Sequence, residues 1–488
     1  MKRSVVIYAV VLLVFGLGIW LILQQGRGLE VQPASDSPAG QALLPALAGQ
    51  AASEESLPRS LWSGVKENLR HPLSRLFIQL ILIMLTARGV GSLFTKAGQP
   101  AVIGEMVAGI LLGPSLLGWL WPGAFDAIFP APTLGTLRIL SQIGVCLFLF
   151  VVGMDLDVDH LRHRAQTAVV VSHVSIVFPC FLGVAVSLFL YSKLAAPGAT
   201  FAAFALFMGI AMSITAFPVL ARIIEERRLS KTALGSTAIT CAAVDDVTAW
   251  SLLALVVAAV QAGGLASAVL SIVLVVAFVA VMLFGVKPRL ARWIETAKVN
   301  GAGPGKGVMA AVLAFVLASA FVTEVAGIHA LFGAFLAGVV MPRESEFCHY
   351  LRVRIENMSS VFLLPLFFAF TGLRTQVTLL NDAESWLICA GLICVATVGK
   401  LGGSMLAARC TGLGWNEAFA LGALMNTRGL MELIALNIGY DLGILSPRIF
   451  TMMVLMALVT TFLTGPLLAL GERWKVKPTL SAGVCSTT

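Results

Sequence analysis

Two adjacent aspartates, Asp245 and Asp246, lie about halfway along an apolar stretch at 232–262. An ionisable side chain at membrane depth costs roughly 2.5–3.5 kcal/mol on insertion scales and is typical of ion and proton pathways. Adjacent residues of a helix point about 100° apart, so the two carboxylates cannot act together as a facing dyad. We therefore expect one carboxylate to line a water-filled cavity while the other meets a partner. A role in packing alone is the alternative.

Lys400 is the candidate cationic partner for one of these two carboxylates. It lies in the glycine-rich run 399–403 of the apolar stretch 383–410, where small residues allow helices to approach closely. A buried lysine either pairs with a carboxylate or loses its proton, and it holds a nearby carboxylate ionised. The sequence leaves two roles open for Lys400, a structural salt bridge and a titrating partner.

A third apolar stretch, 200–224, carries residues that interrupt a helix. Ser213 and Thr215 are followed there by Pro218. Proline lacks the amide proton of a helical hydrogen bond and disfavours helical geometry in the residue before it. The sequence predicts a broken helix, and a simple proline kink in a packed bundle is the alternative.

The stretch 416–438 has interrupting residues at the corresponding place, and these are Asn426, Thr427, Arg428 and Gly429. Breaks at matching positions would expose half-helix ends, whose partial charges and free carbonyls can face an ion. Arg428 and Glu432 are four residues apart, a spacing at which opposite charges on one helix meet. We expect these two side chains to neutralise each other and the two broken helices to form a supporting crossover.

These elements belong to a weak internal repeat. Residues 104–109 resemble 333–338, and 147–153 resemble 366–372; the two interruptions follow in the same order. The first helices of the two halves are seven spans apart, so the two copies cross the membrane in opposite directions. Inverted repeats with a site near the midplane are typical of secondary transporters.

The composition excludes soluble classes of protein. Of the 488 residues, 58% are hydrophobic and 12% are charged, against about 25% charged residues in ordinary globular proteins. These values exclude a disordered chain, a secreted disulfide scaffold and a soluble nucleic-acid binder. The net charge of +8 is typical of loops that face a membrane surface. The sequence is that of an integral protein of the lipid bilayer.

Fourteen apolar stretches are long enough to cross a bilayer, which takes about 20 residues. They run near 5–23, 74–92, 100–120, 134–154, 167–192, 200–224, 232–262, 266–287, 306–325, 327–341, 356–374, 383–410, 416–438 and 449–471. The fold class is therefore an all-α polytopic membrane protein built from inverted six-helix repeats.

The domain organisation follows from these stretches. The membrane domain covers 73–472 and divides into repeat A at 74–262, a linker helix at 266–287 and repeat B at 306–471. We predict that 1–23 is an uncleaved membrane anchor, with a signal segment as the alternative. Residues 24–72, rich in Pro, Ser, Gly and Ala, read as an extracytoplasmic linker, and 473–488 form a short cytoplasmic tail.

The orientation follows from the positive charges. From the second span onward, one set of alternate loops holds eighteen lysines and arginines, and the other set holds four, Arg138, Lys193, Arg374 and Arg448. Since positively charged loops stay in the cytoplasm, both termini are expected there, with the protein in the cell (inner) membrane.

Four motifs together carry a family resemblance, and they cover residues 103–114, 213–222, 242–250 and 426–433. They resemble the monovalent cation/proton antiporter superfamily, in particular Kef-type potassium exporters and plant CHX-type exchangers, over roughly 74–471. The resemblance implies a sodium/proton antiporter-like fold, in which a six-helix core domain moves against a dimerisation domain and two interrupted helices cross beside the aspartates. It also implies a homodimer without a cofactor.

The same resemblance implies roles for single residues. Asp246 matches the carboxylate that binds the ion and the proton, and it would be the ligand of a monovalent cation. Asp245 matches the neighbour that pairs with the lysine at Lys400, and Thr215 lines the crossover. A pair of aspartates with a lysine resembles the electrogenic members of the superfamily.

The sequence thus predicts a secondary active transporter, not an enzyme, that exchanges K⁺ or Na⁺ for protons by alternating access. A cation-coupled solute symporter on the same scaffold is the alternative. A cation channel is less favoured because the sequence shows no selectivity-filter motif. An intramembrane aspartyl protease would need its aspartates on separate facing helices, whereas Asp245 and Asp246 are adjacent.

Overall fold

The computed structural model describes residues 2–26, 68–69, 71–155, 165–229, 232–261, 265–299, 306–326, 329–342 and 346–475. Over these ranges the chain folds into helices without a β-strand. Ten helices are long and apolar enough to cross a membrane, and one bent pair, Trp415–Met425 with Leu430–Asp441, adds an eleventh candidate. Shorter apolar helices lie at Leu13–Gln25, Phe201–Ser213 and Ala330–Val339. The protein is a multi-pass membrane protein.

The first half of the chain forms helices α1 (Lys2–Gly26), α2 (Pro72–Lys96), α3 (Ala101–Leu112), α4 (Ala131–Asp155), α5 (Ala165–Leu194), α6 (Phe201–Ser213), α7 (Phe217–Glu226) and α8 (Ala233–Gln261). Next come α9 (Leu265–Ala280) and α10 (Lys287–Val299), joined without a break by the π-helical segment Val281–Val286.

The second half forms α11 (Lys306–Val325), α12 (Ala330–Val339), α13 (Glu346–Met358), α14 (Leu364–Arg374), α15 (Ala383–Thr397), α16 (Gly403–Cys410), α17 (Trp415–Met425), α18 (Leu430–Asp441) and α19 (Pro447–Lys475). Two further π-helical segments, Ser359–Leu363 and Val398–Gly402, join α13 to α14 and α15 to α16.

Each of the fourteen predicted stretches coincides with a helix or a helix pair, but one ends early. In the stretch 100–120, helix α3 ends at Leu112 and Gly113 is extended. Gly113 precedes Pro114, and a residue before proline avoids helical geometry. Two short helical turns, Leu117–Leu120 and Pro122–Ile128, continue the chain. Most of the predicted linker 24–72 and the last part of the predicted tail, 476–488, lie outside the described residues.

The helices pack into two groups. The core group comprises α5 to α8 with α15 to α19, and the scaffold group comprises α2 to α4 with α11 to α14. The groups touch where α14 meets α18 and where α3 meets α19, while most packing lies within each group. The N-terminal α1 packs on the core group, where Phe15 meets Phe178 and Phe181 edge to face.

Paired glycine contacts show the inverted repeat inside the scaffold group. On α3, a Cβ at Gly109 would lie 2.7 Å from the Cα of Ala369, next to Gly372 on α14. On α4, a Cβ at Gly153 would lie 3.0 Å from the Cα of Gly338 on α12. In the sequence repeat, Gly109 corresponds to Gly338 and Gly153 corresponds to Gly372. Exchanging the two halves of the chain therefore converts one of these contacts into the other. Only glycine lets these backbones approach so closely.

Candidate functional site

The first interruption separates α6 from α7. Helix α6 ends at Ser213, residues 214–216 are not helical, and α7 begins at Phe217. The break therefore precedes Pro218, which is the second residue of α7 rather than the breaking residue itself. Proline is tolerated in the first turn of a helix because the amides there have no intrahelical acceptor.

The second interruption lies between α17 and α18, at residues 426–429, and the two helices are bent by 44°. Gly429 has a φ of 154° there, a conformation that favours glycine. A Cβ at Gly429 would also lie 3.1 Å from a methyl carbon of Val219 on α7. Glycine at this position therefore allows both the turn of the chain and the close approach of the first broken helix.

The two interruptions cross and bond to each other. The backbone N–H of Ala216 donates to the carbonyl of Thr427 at 2.9 Å. The Thr215 hydroxyl lies 3.1 Å from the carbonyl of Met425, the last residue of α17. Backbone groups that the breaks leave without helical partners thus find partners in the other break.

Lys400 reaches this crossing from the π-helical segment Val398–Gly402. Its ammonium donates to Asp245 Oδ2 at 2.7 Å, to the carbonyl of Ser175 at 3.0 Å and to the carbonyl of Ser213. Lys400 and Asp245 are both 0% exposed. An ammonium group has three protons to donate, and here each has an acceptor. Lys400 is therefore fully satisfied as a charged group.

Asp245 accepts from hydroxyl groups as well as from the lysine. Ser172 donates to Oδ1 at 2.7 Å, and Ser175 and Thr215 donate to Oδ2 at 3.2 and 2.6 Å. Both carboxylate oxygens of Asp245 therefore act as hydrogen-bond acceptors for neighbouring side chains. Ser172 and Ser175 were not predicted, although their spacing of three residues places both on one face of α5.

Asp246 lies next to Asp245 on α8 in a different environment. Its side chain is 1% exposed, and neither carboxylate oxygen has a hydrogen-bond partner among the described residues. The backbone amide of Phe217, at the start of α7, is the nearby group of favourable polarity, but it does not reach hydrogen-bond geometry. The first turn of a helix is its positive end, so α7 directs a partial positive charge towards Asp246.

Arg428 and Glu432 form a second buried pair beside the crossing. Arg428 donates from Nη1 to the carbonyl of Ala211 at 2.9 Å and from Nη2 to that of Met212 at 2.6 Å. Its Nη1 lies 3.6 Å from Glu432 Oε2, and both side chains are 0% exposed. Together with Lys400, Arg428 covers the last carbonyls of α6, which form the negative end of that half-helix.

The second interruption is held by neutral groups. Thr461 Oγ1 lies 2.7 Å from the carbonyl of Arg428 and accepts from its backbone N–H at 3.1 Å. The Asn426 amide donates to the carbonyl of Thr460 at 3.4 Å, and the Thr427 and Thr464 hydroxyls are 3.4 Å apart. A Leu-Ser pair precedes the last helix of each half, at 229–230 and 445–446, and aligning the two pairs matches Thr461 with Asp245. The two halves therefore hold their breaks in a similar way, with a hydroxyl in one and a carboxylate in the other.

The charges of the crossing do not cancel. Asp245 pairs with Lys400 and Glu432 pairs with Arg428, which leaves Asp246 as the carboxylate without a cationic partner among the described residues. An ionised carboxylate without a partner is strongly disfavoured in a buried environment. The arrangement therefore favours a proton or a cation on Asp246.

Comparison with known proteins relates this architecture to one family. Residues 81–470 match the transmembrane domain of sodium/hydrogen exchangers. The Na(+)/H(+) antiporter NhaS4 of Synechocystis sp. is 42% identical over 389 residues, which cover 80% of this chain and 95% of NhaS4.

Two longer relatives match over the same region. Cation/H(+) antiporter 17 of Arabidopsis thaliana is 42% identical over 400 residues, covering 82% of this chain and 48% of its own length. K(+)/H(+) antiporter 1 of Saccharomyces cerevisiae is 33% identical over 408 residues, covering 82% and 46%. The chain thus spans about half the length of these two relatives.

The fold also matches a solved structure. The sodium proton antiporter MjNhaP1 from Methanocaldococcus jannaschii at pH 8 aligns with a TM-score of 0.59 over 82% of this chain and 97% of that one, at 14% identity. The predicted fold class, with inverted six-helix repeats and two crossing interrupted helices, is confirmed. By its sequence match over 81–470 and its identity to these relatives, the chain belongs to the sodium/hydrogen exchanger family.

Proposed function

We propose that this protein is an antiporter that exchanges protons for a monovalent cation, K⁺ or Na⁺, with Asp246 as the group that binds either one. The observation that carries the proposal is the buried Asp246 carboxylate, which has neither a hydrogen-bond partner nor a cationic partner among the described residues. The two buried carboxylates beside it each face a cation, Asp245 at 2.7 Å from Lys400 and Glu432 at 3.6 Å from Arg428. The relatives of this chain are named as Na⁺/H⁺, cation/H⁺ and K⁺/H⁺ antiporters, which supports the same activity.

Competition for one carboxylate explains the exchange. A hard oxygen ligand binds an alkali-metal ion or a proton, and binding of one excludes the other. Either of them neutralises Asp246, so the core group can carry it through a region of low dielectric constant without the cost of an unpaired charge. With Asp246 empty and ionised, the movement is penalised. This difference couples inward flux of one ion to outward flux of the other by alternating access.

The Asp245–Lys400 pair has a supporting role in this scheme. Lys400 donates to Asp245 and at the same time covers the carbonyl of Ser213 at the end of α6. Separation of the pair during the cycle would free a proton from Lys400. An exchange of two protons for one cation moves a net charge, whose transfer is worth about 2.3 kcal/mol per 100 mV.

The orientation is part of the proposal. With both termini in the cytoplasm, Arg138, Lys193, Arg374 and Arg448 lie on the outer face of the cell membrane. Each of these four side chains forms an ion pair there, with Asp441, Glu384, Asp441 and Asp382 respectively. The count of four lysines and arginines on this face, against eighteen on the other, agrees with the positive-inside rule. We also propose the homodimer that the family resemblance implies.

Cation-driven proton movement in proteoliposomes tests the proposal. Vesicles with an acidic lumen and a pH-sensitive dye receive K⁺, Na⁺ or Li⁺ outside. The wild type should alkalinise the lumen with at least one cation, whereas Asp246→Asn should not, because an amide cannot exchange a proton for a cation. Asp382→Asn, the same change in an aspartate 42% exposed at the outer end of α15, is the matched control and should retain flux.

The cation that drives alkalinisation identifies the transported ion. Absence of proton movement with every cation, from folded wild-type protein, would overturn the antiporter proposal. Flux that survives in Asp246→Asn would overturn the assignment of Asp246 alone.

A further inference from the structure

A cluster of charged side chains joins the two helix groups on the outer face. Asp441, the last residue of α18, pairs with Arg374 at the end of α14 at 2.7 Å and with Arg138 on α4 at 3.3 Å. One turn earlier, Asn437 accepts from Arg374 at 3.1 Å and donates to the Thr371 hydroxyl at 2.8 Å. We call Asp441, Arg374 and Arg138 the clasp.

The clasp differs from the other ion pairs described on this face. Lys193 and Glu384 join α5 to α15, and Arg448 and Asp382 join α19 to the N-cap of α15. Both of these pairs lie within the core group. The clasp instead connects α18 of the core group to α4 and α14 of the scaffold group, at one of the places where the groups touch.

Two cavities lie between the groups, and the first of them adjoins the clasp at Asp441. The first is lined by Asp441 and Asn437 of α18, Ser141 and Gln142 of α4, and His329 at the start of α12. The second shares His329 and Ile438 with the first and extends to Trp250 on α8. Trp250 is one helical turn after Asp246. The cavities therefore lead from the clasp towards the helix that carries the proposed ion-binding residue.

The clasp lies at the surface end of this route. The Arg138 side chain is 44% exposed, whereas those of Arg374 and Asp441 are 15% and 16% exposed. The Arg374 guanidinium also stacks over the rings of Phe370 at 4.2 Å and Tyr440 at 5.1 Å. A half-buried carboxylate between two guanidinium groups is a strong charge-assisted contact. Aromatic packing on both sides of Arg374 fixes its position.

We propose that the clasp closes the outer end of the ion route. Asp441, Arg374 and Arg138 are positioning residues that hold α18 against the scaffold group, and they must separate before water and ions from the outer solution can reach Asp246. The inference rests on the proposed antiport function for its role in transport. Its structural content, closure of the cavity by the clasp, can be measured without transport.

A cysteine reporter in the cavity tests the closure. Ser141 lines the cavity and is 1% exposed, so Ser141→Cys, with the native cysteines replaced, should react slowly with a hydrophilic maleimide. The protein is held in lipid nanodiscs, where both faces meet the reagent. Asp441→Asn should raise the labelling rate about tenfold, within the 5–150-fold range of typical conformational couplings. Arg374→Gln should act in the same direction.

Two control variants distinguish opening of the clasp from a non-specific loss of helix packing. Glu384→Gln removes an ion pair on the same face but within the core group, and it should leave the labelling rate unchanged. The double variant Asp441→Asn/Arg374→Gln should raise the labelling rate by less than the product of the two single increases, because both single variants remove the Arg374–Asp441 pair. A second reporter, Gln142→Cys, lines the same cavity and replaces Ser141→Cys if that variant does not fold.

The possible failures are distinguishable. Unchanged labelling in folded Asp441→Asn, or an equal rise in Glu384→Gln, would overturn the clasp. Wild-type protein without cation-driven proton flux would overturn the antiport function, while the labelling rates would still report whether the clasp closes the cavity.

Discussion

The two adjacent aspartates should respond in opposite ways to the same substitution. Asp245 accepts hydrogen bonds from Ser172, Ser175, Thr215 and Lys400, whereas Asp246 has no such partner among the described residues. Aspartate to asparagine keeps the size and shape of the side chain and removes its charge. The difference in stability between the two variants therefore reports the loss of hydrogen-bond and charge partners, and not a change in side-chain volume.

The structure sets the size of the difference. In Asp245→Asn, the buried ammonium of Lys400 loses its counter-ion, and removal of one partner from a buried pair costs about 3–5 kcal/mol. In Asp246→Asn, none of the described hydrogen bonds is lost and an unpaired buried charge disappears. The free energy of unfolding of Asp246→Asn should stay within about 1 kcal/mol of the wild type or increase, since an amide, unlike an ionised carboxylate, carries no charge to bury.

Thermal unfolding of purified protein in one detergent at one pH and salt concentration is the assay. Each kcal/mol corresponds to about 2–4 °C in a domain of 150–250 residues, so Asp245→Asn should lower the midpoint by several degrees. Asp246→Asn should not lower it. Because membrane proteins often unfold irreversibly, the comparison uses one heating rate and the half-life at one temperature.

Two results would refute the reasoning. An equal loss of stability in both variants would mean that Asp246 has a structural partner comparable to that of Asp245. A loss confined to Asp246→Asn would invert the roles given to the two residues. The double variant Asp245→Asn/Lys400→Met serves as a control and should recover part of the loss, because it removes both buried charges.

Three further perturbations test other parts of the site. The transported cation at about 100 times its Kd should stabilise the wild type by about 2.7 kcal/mol and raise its unfolding midpoint. It should not shift the unfolding midpoint of Asp246→Asn. An equal shift in the variant would mean that the cation binds at another site. Gly429→Ala should cost about 1–3 kcal/mol, because alanine disfavours the φ of 154° and its Cβ would press on Val219; unchanged thermal stability would show that the break tolerates a side chain. Arg428→Gln should lower the free energy of unfolding by about 3–5 kcal/mol, because it leaves the Glu432 carboxylate unpaired and removes the charged donors to the end of α6. The double variant Arg428→Gln/Glu432→Gln should recover part of this loss. Fully additive losses in that double variant would contradict the pairing.

Much of the fold could be predicted from the sequence because the bilayer imposes a simple rule. Apolar stretches of about 20 residues mark helices, and each predicted stretch coincides with a helix or helix pair. The glycines of the weak repeat were also informative, since those at 109, 153, 338 and 372 lie where backbones touch. The position of the first break was less accurate. A proline marks the start of a half-helix as readily as a break, and tertiary contacts such as that between Ala216 and Thr427 hold the break at 214–216.

The candidate site shows what the sequence alone determined and what the tertiary structure decided. Charged residues are rare in apolar stretches because placing them at membrane depth costs free energy. Asp245, Asp246, Lys400 and Arg428 could therefore be found in the sequence alone. Which aspartate is paired could not be found from the residues themselves, because neighbours on one helix have the same local sequence. The family resemblance supplied an expectation for the two roles.

The structure distinguishes the two carboxylates through the faces that α8 presents to its neighbours. One face meets the hydroxyls of α5 and the ammonium of Lys400, which is 155 residues from Asp245 in the chain, and the other meets the start of α7. The clasp at Asp441 is similar, because its three residues lie in three helices that are far apart in the chain. The identity of an ionisable residue is local information, but its partner is set by helix packing, which brings distant segments together.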